Sequence, residues 1–333
     1  MSTVQETQIE KATTAQRGGA FWKLLIQQRE VSIFLSVLAL SALLAIASPN
    51  FLNRANLLTL IVGMSFDMIV AVGMTILMVS GGFDLSVGST LALAGAVSGY
   101  AMTKFDVPIP LAILLGLGVG VLIGIANGLL VTKVRVNPLI ATLGMMQVVR
   151  GIVFLVTAGL GIPNLPDGFN YFGQEKWLNI QIPVWIMLLF VLVGEILLRR
   201  SSFFRQSYFV GGNERSARLS GINVDRIKII NYIIVAVLAA VSGLLLAGRM
   251  GSASVSAGQG AEMRVVSAVV IGGASLAGGE GSILGALFGV TLMNLISNGL
   301  NLLGINVYWQ NIIIGAVLII AVAADSLSRR NKS

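Results

Sequence analysis

Apolar positions in this chain do not alternate with polar ones. They run on for about twenty residues at a time, over 31–47, 56–79, 85–103, 109–132, 138–157, 182–198, 229–248, 265–277, 283–303 and 307–324. At 1.5 Å rise per residue, about 20 residues match the ~30 Å hydrocarbon core of a bilayer. The pattern predicts an all-α polytopic membrane protein with about ten transmembrane helices. The eighth run, 265–277, is short and glycine-rich, which favours a broken or re-entrant element. Nine spans plus a re-entrant hairpin is therefore the alternative. A second interruption, Ser80-Gly81-Gly82-Phe83-Asp84-Leu85-Ser86-Val87-Gly88, cuts another apolar stretch. Lipid cannot satisfy freed backbone groups, so such a break is buried in protein or lines a cavity. The glycine-rich breaks at 80–88 and 272–281 fall one in each half, and interrupted segments so placed often flank a transport path.

Composition agrees with the pattern. Of 333 residues, 56% are hydrophobic and 11% are charged, about half the charged share of a soluble domain. The 39 glycines suit closely packed membrane helices. The net charge of +8 does not point to nucleic acid, because the basic residues sit in short loops and form no continuous stripe. There is no cysteine and no histidine, so disulfides and thiolate metal sites are excluded, any proton relay would use carboxylates alone, and no metal site is expected.

The loops orient the chain through their basic residues. Tail 1–30 (Lys11, Arg17, Lys23, Arg29), loop 133–137 (Lys133, Arg135), loop 199–228 and tail 326–333 (Arg329, Arg330, Lys332) all fall on one side. That side is the cytoplasm, leaving 158–181, with Asp167, Glu175 and Lys176, outside. The expected organisation is a transmembrane domain over 31–325 between two cytoplasmic tails. Ala45-Ile46-Ala47 resembles a signal-peptidase site, but the polar stretch before it carries Glu6, Glu10 and Glu30. The first span is read as uncleaved.

Several residues are candidates for chemistry. In loop 199–228, Gly212 precedes Asn213, which suits a helix cap, and Glu214 suits the first turn. Arg215, Arg218 and Ser220 follow, and Gly221 ends the helix. This two-turn helix reads either as a solvated connector or as a docking element presenting Glu214, Arg215 and Arg218. Asp84 caps a helix from Leu85 onward with help from Ser86 and Ser89, or it faces a path, with Gly88 a further candidate in the same break. Asp67 has no partner nearby in sequence and is a path candidate. Glu195 is four residues from Arg199, the spacing of an ion pair. Arg150 is deep in its span or snorkels from it, and is expected to pair with a carboxylate from another. Asn294, Asn298 and Asn301 share one helical face, as inter-helix glue or as a hydroxyl-binding wall. Tyr308 and Trp309, in the polar tract 306–311, suit interfacial anchors, with sugar stacking on Trp309 the alternative.

The string Gly211-Gly212-Asn213-Glu214, continuing as Ala217-Arg218-Leu219-Ser220-Gly221-Ile222-Asn223-Val224, resembles the cytoplasmic coupling loop of the ribose-type ABC transporter permeases. The likeness covers nearly the whole chain from about residue 30. It includes Ser48-Pro49-Asn50-Phe51, Ala71-Val72-Gly73-Met74-Thr75, 80–89, 140–146, Ala268-Val269-Val270-Ile271-Gly272-Gly273 and 298–304. The resemblance implies an ABC importer permease fold in the bacterial inner membrane, with both termini cytoplasmic. It also implies a second permease copy, a cytoplasmic ATP-binding subunit and a periplasmic sugar-binding protein. ATP and Mg would be held by that subunit, since this chain has no Gly-x-x-x-x-Gly-Lys-[Ser/Thr] loop and no Gly-Lys dipeptide. The chain is then a transport subunit and not itself an enzyme, carrying a monosaccharide such as ribose. A hexose, deoxysugar, sugar alcohol or furanosyl signal remains open. So does a different class, an ion-coupled carrier using Asp67 or Asp84, although that leaves the basic loop unexplained. A membrane enzyme fits poorly with so few clustered acids. One departure concerns Glu262-Met263-Arg264: the family has an Asp two positions after the Glu, and an acid replaced by a base leaves substrate and coupling at that spot open.

Overall fold

The computed structural model describes residues 29–306 and scattered positions from 308 to 323. The tails and half of the run 307–324 lie outside the described residues. The helices are α1 (Arg29–Ala47), α2 (Arg54–Val79), α3 (Val87–Phe105), α4 (Ile109–Thr132), α5 (Pro138–Thr157) and α6 (Asp167–Gln174). After a two-stranded hairpin, β1 (Lys176–Trp177) and β2 (Ile180–Gln181), come α7 (Ile182–Arg200), α8 (Ser202–Gly212), α9 (Glu214–Leu219) and α10 (Val224–Met250). The chain continues as α11 (Ala261–Ile271) and α12 (Ile283–Leu302).

Among the described residues, seven helices are long and apolar enough to cross a membrane: α1, α2, α4, α5, α7, α10 and α12. The chain is thus an all-α polytopic membrane protein. α3 is a 19-residue helix but falls short of that standard. It is rich in Gly, Ala, Ser and Thr and is buried along most of its length, and a helix wrapped in protein has no need to suit lipid. The eighth apolar run is helical only over Ala261–Ile271, about 16 Å at 1.5 Å per residue. It does not cross as one helix. Gly272–Ser282 turn the chain back into α12.

Two central helices, α2 and α10, are buried along most of their lengths. Their core residues Met68, Ile69, Met74, Leu77 and Tyr232 pack with Val184 and Met187 of α7, Val265 and Val269 of α11, and Ile283 of α12. The contact of α4 with α10 has a specific cause. Gly116, Gly120, Gly124 and Gly128 recur every fourth residue and form one ridge of α4 against α10. A Cβ at Gly124 would lie 2.5 Å from Ile233 Cα, and one at Gly128 would lie 2.9 Å from Ile229 Cα. Without Cβ atoms the two backbones approach closely, the small-residue packing of membrane helices.

The two glycine-rich breaks meet each other. Gly279 N–H donates to Val79 O at 2.9 Å, and Gly211 of α8 sits between them, where a Cβ would lie 2.0 Å from Val79 O. Gly81, Gly278 and Gly279 have φ of +77°, +88° and +80°, which L side chains rarely adopt. Locally, Gly81 N–H donates to Met78 O at 2.9 Å and Gly278 N–H to Ser275 O at 3.0 Å. The freed backbone groups are thereby bonded inside protein, as hydrocarbon surroundings require.

Gly124→Ala should lower the stability of the detergent-solubilised protein by about 1–3 kcal/mol, the usual range for overpacking. Gly118→Ala, on the same helix with open space around it, should be neutral or slightly stabilising. Thermal unfolding of the two variants checks this.

Candidate functional site

Asp67 stands midway along α2, about 20 Å from either end at 1.5 Å per residue. Its partner is Arg264 on α11, which donates Nη2 to Oδ1 at 3.3 Å and Nε to Oδ2 at 3.4 Å. Asn294 of α12 donates to Oδ2 at 3.5 Å. The pair is not sealed: 32% of the Arg264 side chain and 14% of the Asp67 side chain stay accessible. One turn further along α12, Asn298 donates to Asn56 at 2.8 Å and Asn56 returns a bond at 3.2 Å. Asn301 follows, exposed, near the end of α12. Half-exposed amides therefore continue from the ion pair to the N-terminal end of α2.

The loop before α11 closes against the start of α3. Glu262 accepts from Gly260 N–H at 3.3 Å. A Cβ at Gly88 would lie 2.3 Å from both the Glu262 carboxylate and Gly258 O, so glycine is required there. Arg150 does not pair with a carboxylate as expected. Its Nη1 donates to the carbonyls of Val255 and Ala257 at 2.9 and 3.0 Å, because the non-helical loop offers carbonyls that lack helical partners.

Asp84 is fully buried. Its Oδ1 accepts from Ser86 N–H at 2.7 Å and Ser86 Oγ at 2.6 Å, and its Oδ2 accepts from Asn127 Nδ2 of α4 at 3.0 Å. Nearby, Tyr232 Oη donates to Phe83 O at 3.3 Å. The acid holds the break at Ser86, the residue that precedes α3, and does not itself cap the helix, which begins at Val87 and not at Leu85. Glu195 forms the expected ion pair with Arg199 and also accepts from Ile283 N–H at 3.2 Å, at the start of α12.

In the basic loop, Asn213 Oδ1 accepts from Ser216 N–H at 2.9 Å and caps α9. Gly221, at φ +81°, ends it, with Gly221 N–H to Arg218 O and Ile222 N–H to Ala217 O both at 3.1 Å. Ala217 packs with Val210, Val224 and Ile227. Glu214, Arg215 and Arg218 all stay exposed, and two of them are also paired. Glu214 bonds Arg218 at 2.9 Å and Lys228 at 2.6 Å, while Asp225 bonds Arg218 at 2.9 Å and Lys133 at 2.8 Å. Glu214 and Arg218 are thus engaged within the chain. Ser220 Oγ bonds Ser216 O at 3.0 Å. Glu214 and Arg218 share the outward face with Arg215, Leu219 (83% exposed), and Gly212 and Gly221, around which a Cβ would meet open space.

Residues 56–322 match the family model described as branched-chain amino acid transport system / permease component. The chain belongs to this permease family. Among its relatives, the permease is 40% identical over 306 residues to the ribose import permease protein of Escherichia coli K12, covering 91% of this chain and 94% of that one. It is 41% identical over 295 residues to the ribose import permease protein of Bacillus subtilis 168, covering 88% and 91%. To the L-arabinose ABC transporter permease protein of Azospirillum brasilense it is 33% identical over 322 residues, covering 96% and 93%. No solved structure matches the permease. The motif resemblance to ribose-type permeases is thereby supported along nearly the whole chain.

The hydrogen bond from Lys228, followed by that from Arg218, holds the Glu214 carboxyl below its ordinary value near 4.5. Folding of the loop around α9 therefore favours the ionised acid. That contribution is present above the ordinary carboxylate range and is lost as pH falls through and below it. Intrinsic-rate-corrected amide exchange at 216–222 should accelerate between pH 7 and pH 4, and Glu214→Gln should weaken this dependence.

Proposed function

We propose that this permease is the membrane subunit of an ATP-driven importer for a monosaccharide, with a ribose-like pentose first among candidates. The carrying observation is 40–41% identity to ribose import permeases along about nine-tenths of the chain. The arabinose relatives keep other pentoses within the reading. In it, the chain resides in a bacterial inner membrane with both termini cytoplasmic. It crosses about ten times, counting α3, the broken segment that contains α11 and the run 307–324, and pairs with a second copy. A cytoplasmic subunit binds ATP and Mg, and an external sugar-binding protein delivers the substrate.

The polar groups of α2, α11 and α12 support a path for the sugar. An accessible ion pair at mid-depth costs at least a few kcal/mol against hydrocarbon, so Asp67 and Arg264 face water or protein. Asn294, Asn298 and Asn56 continue this polar face toward one end of the bundle. Weak hydroxyl bonding suffices in such a path, because the external protein supplies affinity and a tight internal site would slow release. Arg264, where the family has an acid, compensates Asp67 and keeps the path near neutral. An ion-coupled mechanism is disfavoured: Asp67 is engaged with Arg264, and Asp84 with Ser86 and Asn127. ATP-driven closure of the partner subunits would act on α9 through Arg215 and Leu219, with the Glu214–Arg218–Asp225–Lys133 network passing the push to α10 and the α4–α5 loop.

In vesicles, labelled ribose uptake is expected only when the permease is combined with its ATPase, its binding protein and ATP. Uptake by the chain alone on an ion gradient would overturn the importer reading. With Arg215→Glu and Leu219→Asp together, uptake and stimulated ATP hydrolysis should fall about tenfold or more, as when an interface residue worth over 1 kcal/mol is lost. Insertion should be unchanged, and normal coupling in this variant would refute the docking face.

A further inference from the structure

The hairpin before α7 is built at a conformational cost. Its two-residue turn, Leu178-Asn179, has φ of +52° and +63°, the type I′ geometry that suits the right-handed twist of paired strands. Asn accepts this conformation readily, but leucine does not. Leu178 is nevertheless 69% exposed, and Trp177 beside it is 62% exposed. Two large apolar side chains thus project from a turn where Gly, Asn or Asp is the usual choice.

The position of Trp177 shows what surrounds these side chains. Its ring packs on Trp185 with centroids 5.0 Å apart, and Trp185 Nε1 donates to Trp177 O at 3.1 Å. Trp185 lies in the first turn of α7, a span whose Leu189, Leu192 and Ile196 are exposed. Those four residues follow i, i+4, i+7 and i+11 spacing and share one helix face. The other face, through Val184, Met187 and Val191, is buried in the core. An apolar, exposed face of a membrane-spanning helix contacts acyl chains. Trp177 and Leu178 extend that face past the helix end, to the level where lipid meets water.

We propose that the Lys176–Gln181 hairpin is a membrane-interface anchor, seated among the phospholipids of the leaflet in which α7 begins. Tryptophan suits this boundary, where an apolar body and a polar N–H are both accommodated. Glu175 and Lys176 flank the apolar pair with opposite charges, so the anchor has no preference for anionic lipid. It also reaches the core. α6, which ends at Gln174, lies on the end of α10: a Cβ at Gly173 would sit 2.1 Å from Arg249 N, and Gln174 Nε2 donates to the carbonyls of Gly248 and Arg249 at 3.2 Å. The leaflet therefore sets the depth of α6 against α10 through the hairpin.

The absence of cysteine makes a direct test simple. Leu178→Cys, Leu189→Cys and Lys176→Cys, each carrying a nitroxide, are reconstituted in phosphatidylcholine vesicles. Power saturation with oxygen, which partitions into lipid, is compared with an aqueous nickel complex. Oxygen should dominate severalfold at 178, less than at 189, and the order should reverse at 176. Nickel dominance at 178 would place the hairpin in water, and shielding from both would place it under protein, such as a second copy. Either result overturns the proposal. If the labelled 178 variant fails to insert, the emission difference between unaltered protein and Trp177→Phe is read in vesicles with brominated acyl chains. Quenching by bromine near the headgroups supports the anchor, and quenching by aqueous acrylamide alone refutes it.

Discussion

Every backbone amide and carbonyl inside hydrocarbon must find a partner within the protein, and this constraint organises the molecule. Regular helices meet it alone. The breaks at 80–86 and 272–282 meet it by packing on one another around Gly211, with Val79 O taken by Gly279. That contact needs glycine on both sides, as does the α4 ridge against α10. The glycine content is thus concentrated where backbones touch, and its consequence is a tight centre formed by α2, α3, α4 and α10.

The same constraint sorts the acids. Asp84 is enclosed, holding a helix start through Ser86 and reaching α4 through Asn127. Asp67 is left partly accessible at mid-depth beside a more accessible Arg264. One acid maintains a break, and the other belongs to a polar face that lipid cannot cover. On the proposed reading these are two parts of one device: a rigid broken centre, and beside it a near-neutral wall that a sugar passes. The capped α9 stands at the far end of α10 from α6, so a push there acts on a helix in contact with α2, α3 and α4.

Much of the fold was legible because long apolar runs can be read directly, and the runs for α2, α4, α5 and α12 match the helices within a few residues. Local signals were legible too: the Asn213 cap, the Gly221 stop and the Glu195–Arg199 pair all depend on neighbours within a few positions. What sequence concealed was distance. Asp67 and Arg264 are 197 positions apart, Asp84 and Asn127 are 43 apart, and Lys133 meets Asp225 across 92. For that reason the sequence suggests a carboxylate for Arg150, which binds carbonyls, and does not show the Lys228 and Asp225 partners of the exposed Glu214 and Arg218. The every-fourth glycine ridge of α4 was readable but overlooked. The hairpin is too short for any periodicity.

On the proposed reading the polar face of α2, α11 and α12 borders water inside the membrane. Single cysteines in this otherwise cysteine-free chain report whether it does. Asn294→Cys, Asn298→Cys and Asn56→Cys are compared with Leu189→Cys and Leu192→Cys for reaction with a charged, membrane-impermeant methanethiosulfonate, in the assembled transporter. Modification is expected at the first three, with rates that change when ATP is bound, and silence at the two lipid-facing leucine positions. Asn294→Cys and Asn56→Cys as unreactive as Leu192→Cys in every state would mean that this face is dry.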